Sequence, residues 1–335
     1  MDATDTERIR ARAQRRRRTR RKDRRALVAL ATVFVLALSG AVGYALQPPG
    51  DEDDDTLRLV TTTNFLDDTV RRIGGDDVET VRLMGPGVDP HLYQAKASDL
   101  TEMRRADGVI AVGLYLEGSL QQTLLEIART KPVLFAGASV PEHLLLDPPS
   151  GAAPEEEHDP HIWHDPRLWA HVVDAIAEHM AELDPRNAAD YARRGASYRA
   201  EVLATAEEVR RRIERIPPGQ RRLITSHDAF RYFGRAFGME VVAIQGISTQ
   251  QEATTADISR VASRIARSGV RSVFLETSVS QQTLGSVLAA VRQQGGEVTI
   301  GGELYSDTAG GDGTPEGTYL GMVRANATTL VKGLE

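Results

Sequence analysis

Four residues with metal-binding side chains stand where a predicted strand or loop meets the next element of the chain. His91 and His161 each end an Asp-Pro-His triplet. His227 directly follows a predicted strand, and Asp307 comes shortly after another. Neutral imidazole is a common ligand for zinc and other transition ions, and a carboxylate helps to balance the charge of a dication. These residue types therefore suit a site for a divalent metal ion.

The spacing of the four residues is by itself a weak signal. They are separated by 70, 66 and 80 residues, which excludes a finger-like site and requires four separate loops. In open α/β sheets, ligands bind beyond the carboxyl ends of the strands, and two of the four residues belong to each half of the chain. A cleft between the halves would collect all four. Taken alone, any one of the histidines is as readily explained as a capping or core hydrogen-bonding group.

The elements that must position these residues alternate between short β-rich runs and amphipathic helices. From Leu57 onward this alternation predicts parallel sheets covered by helices. Asp165-Pro166 is a helix start signal, and Asp184-Pro185 repeats it before a charged helical pattern that ends at Pro217-Pro218. We therefore expect an α/β fold of two lobes with mainly parallel sheets, joined by one long rigid helix. The expected segments are residues 57–165 for an N-terminal metal-binding lobe, 166–217 for the linking helices and 218–335 for a C-terminal metal-binding lobe.

Composition narrows the possible classes of function. The 335 residues are 41% apolar and 26% charged, which is sufficient for real hydrophobic cores. The absence of cysteine excludes disulfides, thiolate zinc sites, iron–sulfur clusters, thiol nucleophiles and lipid attachment through a cysteine. Neither of the glycine-rich nucleotide-binding patterns occurs in the sequence.

Charge is divided unevenly along the chain. Residues 1–50 hold 12 Lys+Arg against 4 Asp+Glu, a balance of +8, and the remainder holds 29 basic and 43 acidic residues, a balance of −14. An acidic body repels phosphate backbones, and an aromatic content of 5% leaves few rings for stacking on bases. We expect no nucleic acid partner.

The beginning of the chain has the pattern of a membrane-targeting segment. Residues 26–46 carry no charge, and their length suffices to cross a hydrocarbon core of about 30 Å as a helix. Because arginines before an apolar span fix the N-terminus in the cytoplasm, we expect residues 1–25 to be a basic cytoplasmic segment and 26–46 a transmembrane anchor. Residues 47–56 then form an acidic tether on the extracytoplasmic face of the cell membrane. The alternative is an export signal at 26–46, whose cleavage would leave the protein secreted or periplasmic.

Around the candidate residues the sequence resembles a known family, the metal-binding (zinc/manganese) solute-binding proteins of ABC transporters, cluster A-I type. The resemblance covers about residues 57–335. The matching segments are Gly-Val-Asp-Pro-His91, Asp-Pro-His161-Ile-Trp, Ser-His227-Asp-Ala-Phe-Arg-Tyr-Phe, Glu-Leu-Tyr-Ser-Asp307, Gly246-Ile-Ser-Thr, Phe274-Leu-Glu-Thr-Ser and Gly317-Thr-Tyr-Leu-Gly-Met-Val-Arg-Ala-Asn.

This resemblance implies a binding protein that is not an enzyme. It implies that four residues coordinate Zn2+ or Mn2+: His91, His161, His227 and Asp307. The metal ion is the cargo that the protein transports, and no organic cofactor is involved. It further implies two α/β lobes joined by one long helix. The implied partners are an ABC transporter permease and its ATPase. The chain is expected to act as a monomer, held at the membrane by its N-terminal segment.

The donor set bears on which ion is carried. Three imidazoles and a carboxylate can close the tetrahedral shell that zinc prefers, and zinc binds nitrogen-rich sites more tightly than manganese. Family members with glutamate at the position of His227 are associated with manganese. The C-terminal Ser-Asp-Thr and Gly-Thr-Tyr-Leu-Gly-Met stretches are similar to those of the manganese-associated branch. We expect zinc ahead of manganese.

Two other functions fit parts of the pattern. A zinc-dependent hydrolase with a three-histidine site needs an open coordination position, which Asp307 is expected to fill, and the sequence lacks H-E-x-x-H. An organic-solute-binding protein would use the histidines to contact its ligand and would keep binding after chelator treatment.

Two further histidines flank His161. His164 precedes the predicted helix cap, and we expect it to lie either at the surface or behind the metal ligands, without binding the metal itself. His158 lies in a short acidic loop, in a region where zinc-selective relatives carry a long histidine-rich loop. A metal-gathering role for His158 is left open.

Overall fold

The computed structural model describes residues 56–268, 270 and 272–335, and Thr56–Glu335 form one compact unit. The predicted cytoplasmic segment 1–25, the anchor or signal 26–46 and nearly all of the tether 47–56 lie outside these residues. In the described part of the chain, no helix combines the length and the apolar character needed to span a bilayer.

Four parallel strands form the first sheet. They are β1 (Leu57–Thr61), β2 (Val78–Arg82), β3 (Gly108–Ala111) and β4 (Val133–Phe135), in the spatial order β2-β1-β3-β4. Neighbouring parallel strands need crossover connections. The connecting helices are α1 (Asn64–Gly74), α2 (Ala97–Arg105) and α3 (Gln121–Ala128). The α/β fold with parallel sheets that the alternation predicts is thus confirmed for this half.

Two long helices follow the first sheet. Helix α4 (Pro166–Leu183) begins as predicted, because the side chain of Asp165 accepts a hydrogen bond from the backbone N–H of Arg167. Helix α5 (Ala188–Ile213) has 26 residues, a length of about 39 Å at about 1.5 Å per residue.

The second start signal, at Asp184, is not the start of α5. Asp184 caps the carboxyl end of α4, and its side chain accepts hydrogen bonds from Asn187 at 2.7 Å and from the hydroxyl of Tyr191 at 2.9 Å. The carboxylate therefore stabilises the turn between α4 and α5, and α5 begins at Ala188, three residues after Pro185, the predicted first residue.

Two pairs of parallel strands follow α5. Strand β5 (Arg222–Thr225) pairs with β6 (Glu240–Ala243), and β7 (Ser272–Glu276) pairs with β8 (Thr299–Leu304). The helices of this half are α6 (Arg231–Phe237), α7 (Thr255–Ser268), α8 (Gln281–Gln293) and α9 (Tyr319–Leu334). Gly238 ends α6 with φ of 70°, a left-handed conformation that glycine adopts without steric cost.

The largest hydrophobic core joins both halves of the chain. Phe65 of α1 stacks on Trp163 with ring centroids 4.8 Å apart, and Trp169 of α4 stacks on Tyr319 of α9 with centroids 5.0 Å apart. These rings are fully buried, so the C-terminal helix packs against elements of the first half.

Two helical glycines give a stability test of how α4 packs on α5. A Cβ added to Gly195 of α5 would lie 2.7 Å from Cβ of Ala177 in α4, whereas one added to Gly285 of α8 would meet no atom within 4 Å. We expect Gly195→Ala to lower the free energy of unfolding by about 1–3 kcal/mol through overpacking. Gly285→Ala should raise it by about 0.5–1 kcal/mol, since alanine favours the helix.

Urea unfolding of both variants in chelator measures the two effects without metal. Equal stabilisation by the two substitutions would contradict the close α4–α5 contact.

Candidate metal centre

The structure brings the four predicted residues to one point. One nitrogen or oxygen atom from each of His91, His161, His227 and Asp307 lies within 4.8 Å of those of the others. Nε2 of His161 is 3.5 Å from Oδ1 of Asp307, and Nε2 of His227 is 3.2 Å from Oδ2. Each of these residues is at most 2% exposed to solvent. Four segments far apart in the sequence therefore form one closed polar centre.

Several atoms at this centre have no hydrogen-bond partner. Nε2 of His91, His161 and His227 and Oδ1 of Asp307 are buried and make no hydrogen bond among the described residues, although Nε2 of His227 and of His161 lie within ion-pair distance of Asp307. Unpaired buried polar atoms are costly, so four at one point indicate a bound species that satisfies them. In a tetrahedral shell with ligands about 2.1 Å from zinc, neighbouring ligand atoms lie about 3.4 Å apart. Both nitrogen–oxygen distances are close to this value, and the donor set fits a divalent cation.

The two Asp-Pro-His triplets fold in the same way. Oδ1 of Asp89 accepts a hydrogen bond from the backbone N–H of His91 at 2.9 Å, and Oδ1 of Asp159 accepts one from His161 at 3.0 Å. The proline between them fixes its own φ and restricts the preceding aspartate, which favours this turn. His91 lies in the loop between β2 and α2, and His161 immediately precedes the 3-10 turn Ile162–His164 that leads into α4.

One of these aspartates also orients an imidazole ring. Nδ1 of His161 lies 2.8 Å from the same Oδ1 of Asp159, so Nδ1 donates the hydrogen bond and Nε2 faces the centre. Oδ2 of Asp159 accepts from Nη1 of Arg231 at 3.3 Å. The fully buried carboxylate is therefore shared between a ring, a backbone N–H and a guanidinium.

The ring of His227 rests on a different carboxylate. His227 lies between β5 and α6, and its Nδ1 is 2.5 Å from Oε2 of Glu276. Oε1 of Glu276 accepts from the backbone N–H groups of Ser226 at 2.5 Å and His227 at 3.0 Å. Sequence reasoning gave Glu276 no role. Its place as the last residue of β7, at the carboxyl end of a parallel strand, is the signal that points to it.

The loop that carries Asp307 is fastened by residues from the first half of the chain. Nε1 of Trp163 donates to the carbonyl of Ser306 at 2.7 Å. The side chain of Asn64 donates to the carbonyl of Ala309 and accepts from its N–H, both at 2.9 Å. The carboxylate is therefore held close to the two histidines of the first half.

The histidines of the centre differ in basicity. Burial lowers the pKa of His91 to about 3. Burial also acts to lower the pKa of His227, but the carboxylates of Asp307 and Glu276 raise it well above its ordinary value. Burial would raise the pKa of Asp307, yet the neighbouring imidazoles, with His227 foremost, hold it well below its usual range. In the absence of other cations, His227 and Asp307 thus stabilise each other as an ion pair.

Two neighbouring contacts hold the His91 segment from the other half of the chain. The hydroxyl of Thr249 donates to Oδ2 of Asp89 at 2.6 Å, and Nε2 of Gln250 donates to the carbonyl of His91 at 3.0 Å. Both donors lie in the loop between β6 and α7. This loop therefore lies against the segment that carries the first histidine.

The two flanking histidines lie outside the group of four. His164 is buried and stacks on Phe230 with centroids 4.2 Å apart, so of its two expected positions the one at the surface is wrong and the one behind the metal ligands stays a prediction. His158 lines a cavity of about 400 Å³ together with Tyr115 and Glu155. Among the described residues, the group that could hold a metal ion does not include His158.

Comparison with known proteins identifies a matching family and similar relatives. The family model described as the periplasmic component A of the zinc-uptake complex matches residues 59–333. The manganese-binding lipoprotein MntA of Bacillus subtilis (strain 168) is 35% identical over 312 residues, which are 93% of this chain and all of the relative. The zinc-binding protein TroA of Treponema pallidum (strain Nichols) is 37% identical over 305 residues, 90% of this chain and 96% of the relative.

Solved structures agree with this match. The periplasmic zinc-binding protein TroA from Treponema pallidum superposes with a TM-score of 0.80 at 37% identity, covering 83% of this chain and 99% of that one. A manganese-bound periplasmic metal-binding protein from Candidatus Liberibacter asiaticus, 21% identical, has the same fold with a TM-score of 0.71, covering 84% of this chain and all of its own. The chain belongs to the family of periplasmic A components of zinc-uptake complexes.

Proposed function

We propose that this protein captures Zn2+ or Mn2+ outside the cytoplasm and delivers the ion to an ABC importer. The convergence of three buried imidazoles and one carboxylate, with unpaired ligand atoms at one point, is the observation that carries the proposal. The family is made up of binding components of transporters, so the chain is not an enzyme and the metal is its cargo. We assign the four ligand positions to His91, His161, His227 and Asp307.

The donor set favours zinc over manganese. Three neutral imidazoles and one carboxylate match the four-coordinate shell of zinc, and zinc outranks manganese at nitrogen donors. The relatives include one named for manganese and one named for zinc, so both ions belong to the proposal. No organic cofactor is part of it.

The proposed architecture is two lobes that close on the ion. Residues 57–165 supply two ligands, residues 218–335 supply the other two, and residues 166–217 link the lobes. The hydrogen bonds of Trp163 and Asn64 to the loop of Asp307, and of the β6–α7 loop to the segment of His91, run between these segments and support closure. The continuous helix α5 within the link favours a small movement.

The remaining parts of the proposal concern location and partners. We propose that residues 1–25 lie in the cytoplasm, that residues 26–46 anchor the chain and that residues 47–56 form a tether, which places the binding unit on the extracytoplasmic face of the membrane. An anchor raises the local concentration of the carrier near its permease. The partners are the permease and its ATPase, and the carrier acts as a monomer. The acidic composition argues against a nucleic acid partner.

Loss of one ligand tests the assignment. We expect His161→Ala and Asp307→Ala each to lower zinc affinity by more than about 100-fold, because even outer partners of metal-bound histidines contribute about 10- to 100-fold. His143→Ala is the matched control, since His143 is exposed and outside the centre. Isothermal titration calorimetry on chelator-treated protein measures the affinities. Undiminished zinc binding by the two ligand variants would contradict the site.

Metal binding should displace protons. Although burial lowers the pKa of His227, Asp307 and Glu276 raise it well above its ordinary value, so the free protein carries a proton there at neutral pH. The metal must replace that proton, and zinc affinity should therefore rise with pH, with release of about one proton at neutral pH. Calorimetry in two buffers of different ionisation enthalpy counts the protons. An affinity unchanged between about pH 5.5 and 7.5 argues against imidazole ligands.

Direct competition tests the ion preference. Protein dialysed against equal free concentrations of zinc and manganese should retain zinc, as measured by elemental analysis. His227→Glu replaces a nitrogen donor with an oxygen donor and should shift the retained metal toward manganese. Retention of manganese by the unaltered protein would overturn the preference for zinc and leave metal capture intact.

A further inference from the structure

Two of the three histidines at the centre rest on buried carboxylates that do not reach the centre themselves. Glu276 lies beneath His227, and Asp159 lies beneath His161. Both carboxylates are at most 2% exposed. Carboxylates in this position fix the tautomer and the orientation of a metal-binding histidine. The two carboxylates differ, however, in how their oxygens are used.

Glu276 uses both oxygens as acceptors from the His227 segment. Oε2 lies 2.5 Å from Nδ1 of the ring, and Oε1 accepts from the backbone N–H groups of Ser226 and His227. The distances are 2.5 Å from Oε1 to the nitrogen of Ser226, 3.0 Å from Oε1 to the nitrogen of His227 and 2.5 Å from Oε2 to Nδ1, all within hydrogen-bond range. An ionised carboxylate accepts on both oxygens and donates from neither, an arrangement that requires the ring proton on Nδ1.

Asp159 makes both of its contacts to His161 through one oxygen, Oδ1. Oδ1 accepts from both the backbone N–H and Nδ1 of His161, and Oδ2 accepts from Arg231. An amide in place of this carboxylate can still present its oxygen to His161. Its NH2 group would then face Arg231, whose side chain is 25% exposed and whose Nη1 keeps its hydrogen bond to the carbonyl of Asp147 at 2.8 Å, so the lost contact costs less than the loss of an acceptor by a buried backbone N–H. The tautomer of His161 would be preserved.

We propose that Glu276 is a positioning residue, which holds His227 with its proton on Nδ1 so that the lone pair of Nε2 is directed at the metal. This inference rests on the proposed function. Glutamine at position 276 has one acceptor and one donor group. If its oxygen serves the two backbone N–H groups, its NH2 faces Nδ1 and drives the ring proton onto Nε2, where it blocks the metal.

The opposite orientation of that glutamine is also costly. Its NH2 group would then face the N–H groups of Ser226 and His227, which would lose their acceptor in a buried environment. Both orientations weaken metal binding, although Glu276→Gln changes the shape of the side chain very little. Asp159→Asn removes the same charge from beneath the other histidine and is therefore the matched control.

The test compares zinc affinity and imidazole spectra in the full chain. We expect Glu276→Gln to lower zinc affinity by about 10- to 100-fold and Asp159→Asn by less than about tenfold. In the zinc-loaded unaltered protein, long-range proton–nitrogen NMR correlations should show His227 with a proton on Nδ1 and zinc on Nε2. Circular dichroism of the metal-free variants establishes that both remain folded.

Each outcome has a distinct meaning. Equal losses in the two variants would overturn the inference, because charge alone would then explain the effect. A spectrum of the zinc-loaded unaltered protein with the proton of His227 on Nε2 would overturn it as well, even if Glu276→Gln fails to fold. Failure of the unaltered protein to bind zinc or manganese would instead count against the proposed function.

Discussion

Three imidazoles and a carboxylate are buried around one point, and the surrounding structure has to make that arrangement tolerable. Removal of charged and polar groups from water costs several kcal/mol per ion unless partners compensate. Without a metal, the compensation comes from the mutual attraction of His227 and Asp307, which raises one pKa and lowers the other. A divalent cation would replace the proton of His227 and satisfy the ligand atoms that lack partners.

The need to hold these groups together explains the hydrogen bonds between the two halves of the chain beside the centre. Asp307 belongs to the second half in sequence, yet Trp163 and Asn64 of the first half hold its loop through side-chain hydrogen bonds to backbone. The stacking of Trp169 on Tyr319 extends this attachment into the core. The carboxylate is consequently set at a defined distance from His161, which is what a site with short ligand distances requires.

Much of this arrangement follows from sequence patterns, because they report local structure. Alternating apolar runs predict the parallel strands, and Asp165 with Pro166 predicts the start of α4. The predicted start of α5 is wrong because Asp184, a residue type that favours the N-cap position, lies instead at the carboxyl end of α4. Contacts such as that of Glu276 with His227 join residues 49 positions apart, and no local pattern encodes them. The family resemblance predicts the four candidate ligand positions, since their spacing alone leaves other interpretations open.

The three histidines of the centre are held in different ways. His161 and His227 each have a ring nitrogen bonded to a buried carboxylate, which fixes the ring itself. In the described residues no carboxylate approaches within ion-pair distance of the ring of His91, whose backbone is held by Gln250 and whose neighbour Asp89 is held by Thr249. Backbone contacts of this kind constrain the segment more than the ring. The loop between β6 and α7 supplies both donors, and it also bonds the backbone of Ser226 and Asp228 on either side of His227. This loop therefore connects the segments of two of the four candidate ligand residues.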